Sequence, residues 1–219
     1  MTTSTPQMRW SRRRVLLAGG LSLSGWALSS SPRAAEGVVE VRLQSDMLGT
    51  TVGFDPIGLH VAPGTTVRWV VEANVHTVTA YHPRNDQHSL RIPPEAEPFD
   101  SGFLINPGNA FELRLVSEGV YDYFCLPHEA AGMVGRIIVG SPGGPGLLPF
   151  DYFKSLPEGR QWKDVPPAAQ AAFPSVAAIL QAGTVRRASP SAGGSSGMHG
   201  HVTHNPAGHA PQASAASRS

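Results

Sequence analysis

Cysteine is almost missing: Cys125 is the only one in 219 residues. No disulfide can form within the chain. The thiol is therefore a buried side chain, an intermolecular link, a nucleophile or a metal ligand. A bilayer-spanning run is also missing. The apolar stretch from Val15 to Leu28 falls short of a span and is interrupted by Gly and Ser. Segments of helical period are lacking between residues 36 and 140, which excludes a helical bundle there. Basic residues become scarce beyond the N-terminus. Residues 1–35 hold five Arg and no acid, which leaves 12 basic against 16 acidic groups in the rest, and six against 13 in residues 36–140. A surface of that sign excludes nucleic acid as a partner and suits a cationic protein, since opposite fields speed encounter.

The N-terminus reads as an export signal. Ser11-Arg12-Arg13-Arg14-Val15-Leu16 supplies a twin-arginine segment, Val15 to Leu28 an apolar one, and Ser29 to Ala35 a window of small residues for cleavage. The expected location is periplasmic or otherwise exported, with no stable membrane span once residues 1–35 are removed. Residues 36–140 read as one β domain. Val67-Arg68-Trp69-Val70-Val71 and Phe111-Glu112-Leu113-Arg114-Leu115 alternate with the period of half-buried strands. Val38 to Leu43, the run through Tyr121, Tyr123 and Cys125, and Val134 to Val139 supply further strands. Turn sequences such as Ala62-Pro63-Gly64 and Asn106-Pro107-Gly108-Asn109 separate them, as in a sandwich or barrel. His82 to Pro98, with four prolines, reads as a surface excursion. Residues 141–185 form a C-terminal extension expected to pack on the domain, with a helix capped by Ser175 and ended by Gly183. Residues 186–219 are rich in Ser, Ala, Gly, Pro and His and are expected to be disordered.

Chemistry concentrates in Tyr121-Asp-Tyr-Phe-Cys125-Leu-Pro-His128-Glu-Ala-Ala-Gly-Met133. Here Cys, His and Met are spaced C-x2-H-x4-M between two apolar strands. A loop joining strands of a rigid sandwich can aim three ligands at one point. His76, just after the Val67–Val71 strand, is the candidate fourth, with His60 and His82 as alternatives. Two imidazoles, a thiolate and a weak axial thioether make a type 1 copper site suited to electron transfer. The expected cofactor is one copper ion cycling between Cu(I) and Cu(II). The Thr77 N–H is the candidate donor to the sulfur.

The segment resembles the copper loop of the cupredoxins, especially plastocyanin, pseudoazurin and halocyanin. Tyr121, Tyr123, Cys125, Pro127, His128, Gly132, Met133 and Gly135 match the pattern, and Asn74-Val75-His76 resembles the stretch around the family's first histidine. The resemblance covers roughly residues 38–140. It implies an all-β, eight-stranded Greek-key sandwich, a buried His76 and a partly exposed His128 serving as the electron port. Thr77 stands where Asn is commoner. The excursion at 82–98 and the extension after 140 lie outside the minimal family domain.

The remaining histidines divide in two. His60, His82 and His88 lack partners at ligand spacing: His60 reads as a satisfied or solvated strand residue, His82 and His88 as surface residues. His199, His201, His204 and His209 crowd the tail and could gather metal loosely or merely space it. Three functions follow. The first is an exported, non-enzymatic one-electron carrier between redox proteins, such as a basic cytochrome or an oxidoreductase. The second is a periplasmic copper protein for storage, delivery or resistance. The third is a thiol enzyme using Cys125 and His128.

Overall fold

The computed structural model describes residues 37–187. The export segment, its cleavage window and the histidine-rich tail, with His199, His201, His204 and His209, lie outside the described residues. Among those described, no helix is long and apolar enough to cross a membrane.

Alternating sequence becomes half-buried strand. β1 (Val38–Ser45) and β4 (Thr65–Val71) turn Val41, Leu43, Val67, Trp69 and Val71 inward, and leave Arg42 and Arg68 to ion pairs with Glu72 and Glu112 on the outer face. With β2 (Val52–Asp55) and β6 (Ala110–Leu115) they make a four-stranded sheet in the order β2-β1-β4-β6. The second sheet contains β3 (Gly58–Val61), β5 (Thr79–Ala80), β7 (Gly119–Phe124), β8 (Val134–Val139) and β9 (Thr184–Val185), in the order β5-β7-β8-β3-β9. The β1–β4 and β3–β8 pairs are parallel and the others antiparallel. The expected all-β sandwich is borne out, with a ninth strand contributed by the C-terminal segment.

The second sheet is covered on both faces. Its inner face sends Tyr121, Tyr123, Ile137 and Val139 into the core against Trp69. Its outer face sends Val120 and Ile138 against Ile179 of α2 (Val176–Ala182). Phe124 and Val134 pack with Tyr81, Val165 and Ala169 of α1 (Pro167–Ala172). Every residue of β7 and β8 is consequently buried. The Ser175 side chain accepts the Ala178 N–H and so caps α2, and Gly183 follows the last turn.

Two buried arginines meet Asp122 on this covered face. Asp122 accepts from Arg91 Nε at 2.7 Å and from Arg136 Nε at 2.7 Å. The same guanidinium groups reach the carbonyls of Gly146, Leu148 and Pro174. The expectation that residues 82–98 form a surface excursion is corrected here, since His88, Ser89, Arg91 and Ile92 are buried. The residues after 140 fold over the middle of this stretch, while Arg84, Asp86, Gln87, Glu95 and Glu97 stay exposed. Ser89 donates to the Lys163 carbonyl at 2.9 Å, and Lys163 N–H to the Gln87 carbonyl at 2.7 Å.

Candidate metal centre

Cys125 follows β7 directly and Met133 precedes β8, so one hairpin connection carries both. Its course is dictated locally. Pro127 opens a 3-10 turn over Leu126–Ala131. Gly132 ends it at φ 81°, in the left-handed region where a side chain is strained. The Cys125 N–H donates to the Met133 carbonyl at 3.0 Å, and the His128 N–H to the Cys125 carbonyl at 2.9 Å. These bonds close the loop on itself. His76 comes from the other side, on the segment between β4 and β5, fixed by paired backbone bonds with Leu104 at 3.1 and 2.8 Å.

The imidazoles of His76 and His128 both turn Nδ1 to the Cys125 sulfur, at 3.6 and 3.4 Å. The three candidate donor atoms lie within 4.8 Å of one another, and this is the one such group of His, Cys, Asp or Glu found among the described residues. His76 Nε2 donates to the Ala73 carbonyl at 2.9 Å, which leaves Nδ1 without a proton and free to bind a metal. The Thr77 N–H points at the sulfur, 3.3 Å away. The Thr77 hydroxyl accepts the Leu126 N–H at 2.8 Å, so Thr braces the loop where Asn is commoner. Met133 is fully buried in the same cluster as Cys125. His76 is fully buried and His128 partly exposed.

Burial sets the protonation of the metal-free site. It lowers His76 to about 4, helped by the nearby His128 and opposed by the Ala73 carbonyl. It also lowers His128. It pushes the Cys125 thiol up to about 11, although the backbone N–H groups of Thr77 and His128 favour the thiolate. Burial that favours the neutral thiol makes Cys125 a weak nucleophile, which counts against the thiol-enzyme reading. Neutral imidazoles, a soft sulfur and a buried thioether at the loop's far end suit copper in both oxidation states.

A family model for copper binding proteins of the plastocyanin/azurin family matches residues 39–140. A chloroplastic plastocyanin of Tetradesmus obliquus is 32% identical over 142 residues, which is 63% of this chain and 89% of that protein. The plastocyanin of Synechococcus sp. (strain JA-2-3B'a(2-13)) is 34% identical over 127 residues, 57% of this chain and 86% of its own length. The native pseudoazurin of Hyphomicrobium denitrificans, a solved structure, aligns over 61% of this chain and 91% of its own at 24% identity, with a TM-score of 0.41.

The chain belongs to the plastocyanin/azurin family of copper-binding proteins.

The cofactor of this cupredoxin is accordingly copper, and its residues fit a type 1 site. The other histidines stand apart from the cluster. His60 is exposed and bonds the Gly140 carbonyl at 2.9 Å. His82 takes the Arg84 N–H on Nδ1 at 3.0 Å. His88 is not a surface residue. It is 3% exposed, with Nε2 3.2 Å from Glu129. Burial disfavours its charge, yet Glu129 and the Asn85 carbonyl outweigh burial and raise its pKa. Sequence reasoning gave no role to Tyr81 and Glu129 and read His88 as a surface residue, whereas the three form a polar cluster behind the loop. Glu129, next to His128, was the one available signal; its partners are 41 and 48 residues away and leave no pattern.

Proposed function

We propose that this cupredoxin is an exported one-electron carrier, with copper held by His76, Cys125, His128 and, axially, Met133. The observation that carries the reading is the convergence of both Nδ1 atoms and the Thr77 N–H on the Cys125 sulfur. Copper in such a donor set supplies a reversible one-electron couple. The chain keeps three of those four residues out of water. Cys125, His76 and Met133 are buried in the sandwich, and the loop is closed by its own hydrogen bonds. Small movement between oxidation states is what makes a fast carrier.

His128 supplies the route outward. Met47, Leu48, Val75, Phe103 and Pro127 share a shallow depression with it. An apolar rim of this kind sheds water cheaply on contact. The excess of acid in residues 36–140 favours a partner with a basic face, such as a cytochrome or oxidoreductase. Arg12 and Arg13 support export by the twin-arginine route. Replacing both with Lys should keep a reporter fused to residues 1–35 inside the cell, and continued export would refute that route. The storage or delivery alternative leans on the tail histidines, outside the described residues.

Adding Cu(II) to the purified protein tests the ligand set. An intense thiolate-to-copper band with a small copper hyperfine splitting is expected. Cys125→Ser should abolish the colour, and Met133→Leu should keep a shifted one. A pale, ordinary cupric spectrum would sink the proposal.

A further inference from the structure

Behind the ligand loop lies a buried polar cluster that the electron-carrier reading does not use. Glu129 sits beside His128 on the 3-10 turn, and its side chain is 13% exposed. One carboxylate oxygen accepts from Tyr81 Oη at 2.6 Å, and the other lies 3.2 Å from His88 Nε2. His88 is itself fixed. Its Nδ1 donates to the Asn85 carbonyl at 2.8 Å, its ring lies 4.4 Å from that of Phe124, and its backbone bridges to Lys163. The 82–98 stretch and the C-terminal segment thus clasp each other and present His88 to the loop, beside Tyr81 from the end of β5.

The same loop is pressed from a second direction. A side chain at Gly132 would meet the Ala168 carbonyl at 3.2 Å and Ala172 Cβ at 3.4 Å, so α1 packs directly under the turn. Leu126 is tied to Thr77 on the inner side. On the outer side Glu129 ties the turn to Tyr81 and His88.

We propose that Glu129 is a positioning residue: by tying the turn to Tyr81 and His88 it fixes the backbone that aims His128, the exposed end of the electron route. The inference rests on the reading above and deepens it. A carboxylate bonded to two buried partners costs far more to release than a solvated one. The turn is accordingly held before any metal arrives. Electron exchange through His128 then needs little rearrangement.

Glu129→Ala, Glu129→Gln and Tyr81→Phe in the full chain test this. In the metal-free protein, Glu129→Ala should speed amide hydrogen exchange at Ala130–Gly132 about ten-fold, as expected for loss of a charged hydrogen bond. In the copper-loaded protein it should slow electron self-exchange by about the same factor and change the copper hyperfine splitting. Glu129→Gln should rescue both readouts, since its amide can accept from Tyr81 and donate to neutral His88. If Glu129→Ala lowers only the melting temperature and leaves amide exchange, self-exchange and splitting at wild-type values, Glu129 is merely structural and the proposal falls. Should Glu129→Ala not fold, Tyr81→Phe decides: faster exchange at Ala130–Gly132 supports the proposal, and unchanged exchange overturns it. A wild-type protein that never turns blue defeats the carrier reading, while the metal-free arm still decides the role of Glu129.

Discussion

His76 can offer Nδ1 to a metal because its Nε2 is already spent on the Ala73 carbonyl. That arrangement, with burial, holds the imidazole neutral, and the consequence for stability has a definite sign. A histidine lowered from 6.5 to about 4 takes up its proton more readily in the unfolded chain. The unfolded state therefore gains on the folded one as pH falls from 6.5 to 4, at a cost of about 3 kcal/mol from this group. His82 and His128 act in the same direction, and His88, whose pKa is raised, opposes them. Cys125 imposes the alkaline limit. Its thiol, pushed up to about 11 from 9.0, ionises first in the unfolded chain, so stability is lost as pH rises through 9. Urea denaturation of the metal-free protein from pH 4 to 10 should give the highest stability between about 6.5 and 9, with losses on both sides and a shallow decline inside that window as His88 gives up its proton. A profile flat down to pH 4 would contradict the burial of His76. At this scale the site was largely legible. Spacing and residue type singled out Cys125, His128 and Met133, while the tautomer of His76 depends on a carbonyl that only the folded turn brings near.

Strands were legible where water lies on one side of them. β1, β4 and β6 show the alternation because their outer faces are wet. β7 and β8 are dry on both faces, so Asp122 and Arg136 sit in the interior, where an alternating pattern would place solvent. The reason lies more than 20 residues away, in the segment that folds over the sheet. Two-residue β5 and β9 have too little sequence to show any period. The cluster of Asp122 with Arg91 and Arg136 makes the covered face exacting. Removing the single carboxylate strands two guanidinium groups in a nearly dry site. Asp122→Ala should cost about 3–5 kcal/mol, the range for breaking a buried pair by deleting one partner. Urea midpoints measure it. A loss below about 1 kcal/mol would mean that water reaches the arginines and that the covering segment packs loosely.

For the molecule as a whole, electron transfer is a matter of which surface meets a partner. Charge and apolar area are distributed differently. The charged pairs recorded on β1, β4 and β6 line the outer face of the first sheet, whereas His128 opens into a depression lined by Phe103, Val75, Met47 and Leu48, which are exposed by 60, 38, 95 and 85%. On the proposed route through His128, two such acidic molecules meeting head on would repel at long range, while contact between their apolar rims would shed water and bring the two His128 rings close. Self-exchange therefore weighs repulsion against desolvation, and salt should speed it by screening the repulsion. Phe103→Glu tests the apolar side of that balance. The residue is too exposed to carry the core, so stability should change by no more than about 0.5 kcal/mol. A carboxylate on the rim adds repulsion and holds water where the partners must dry. Line broadening in mixtures of oxidised and reduced protein should show self-exchange slowed about ten-fold at low salt, with part of the loss recovered at high salt. The loss that salt cannot recover measures the lost apolar contact. An unchanged rate would place the electron route on some other face of the protein and leave the depression around His128 without a role.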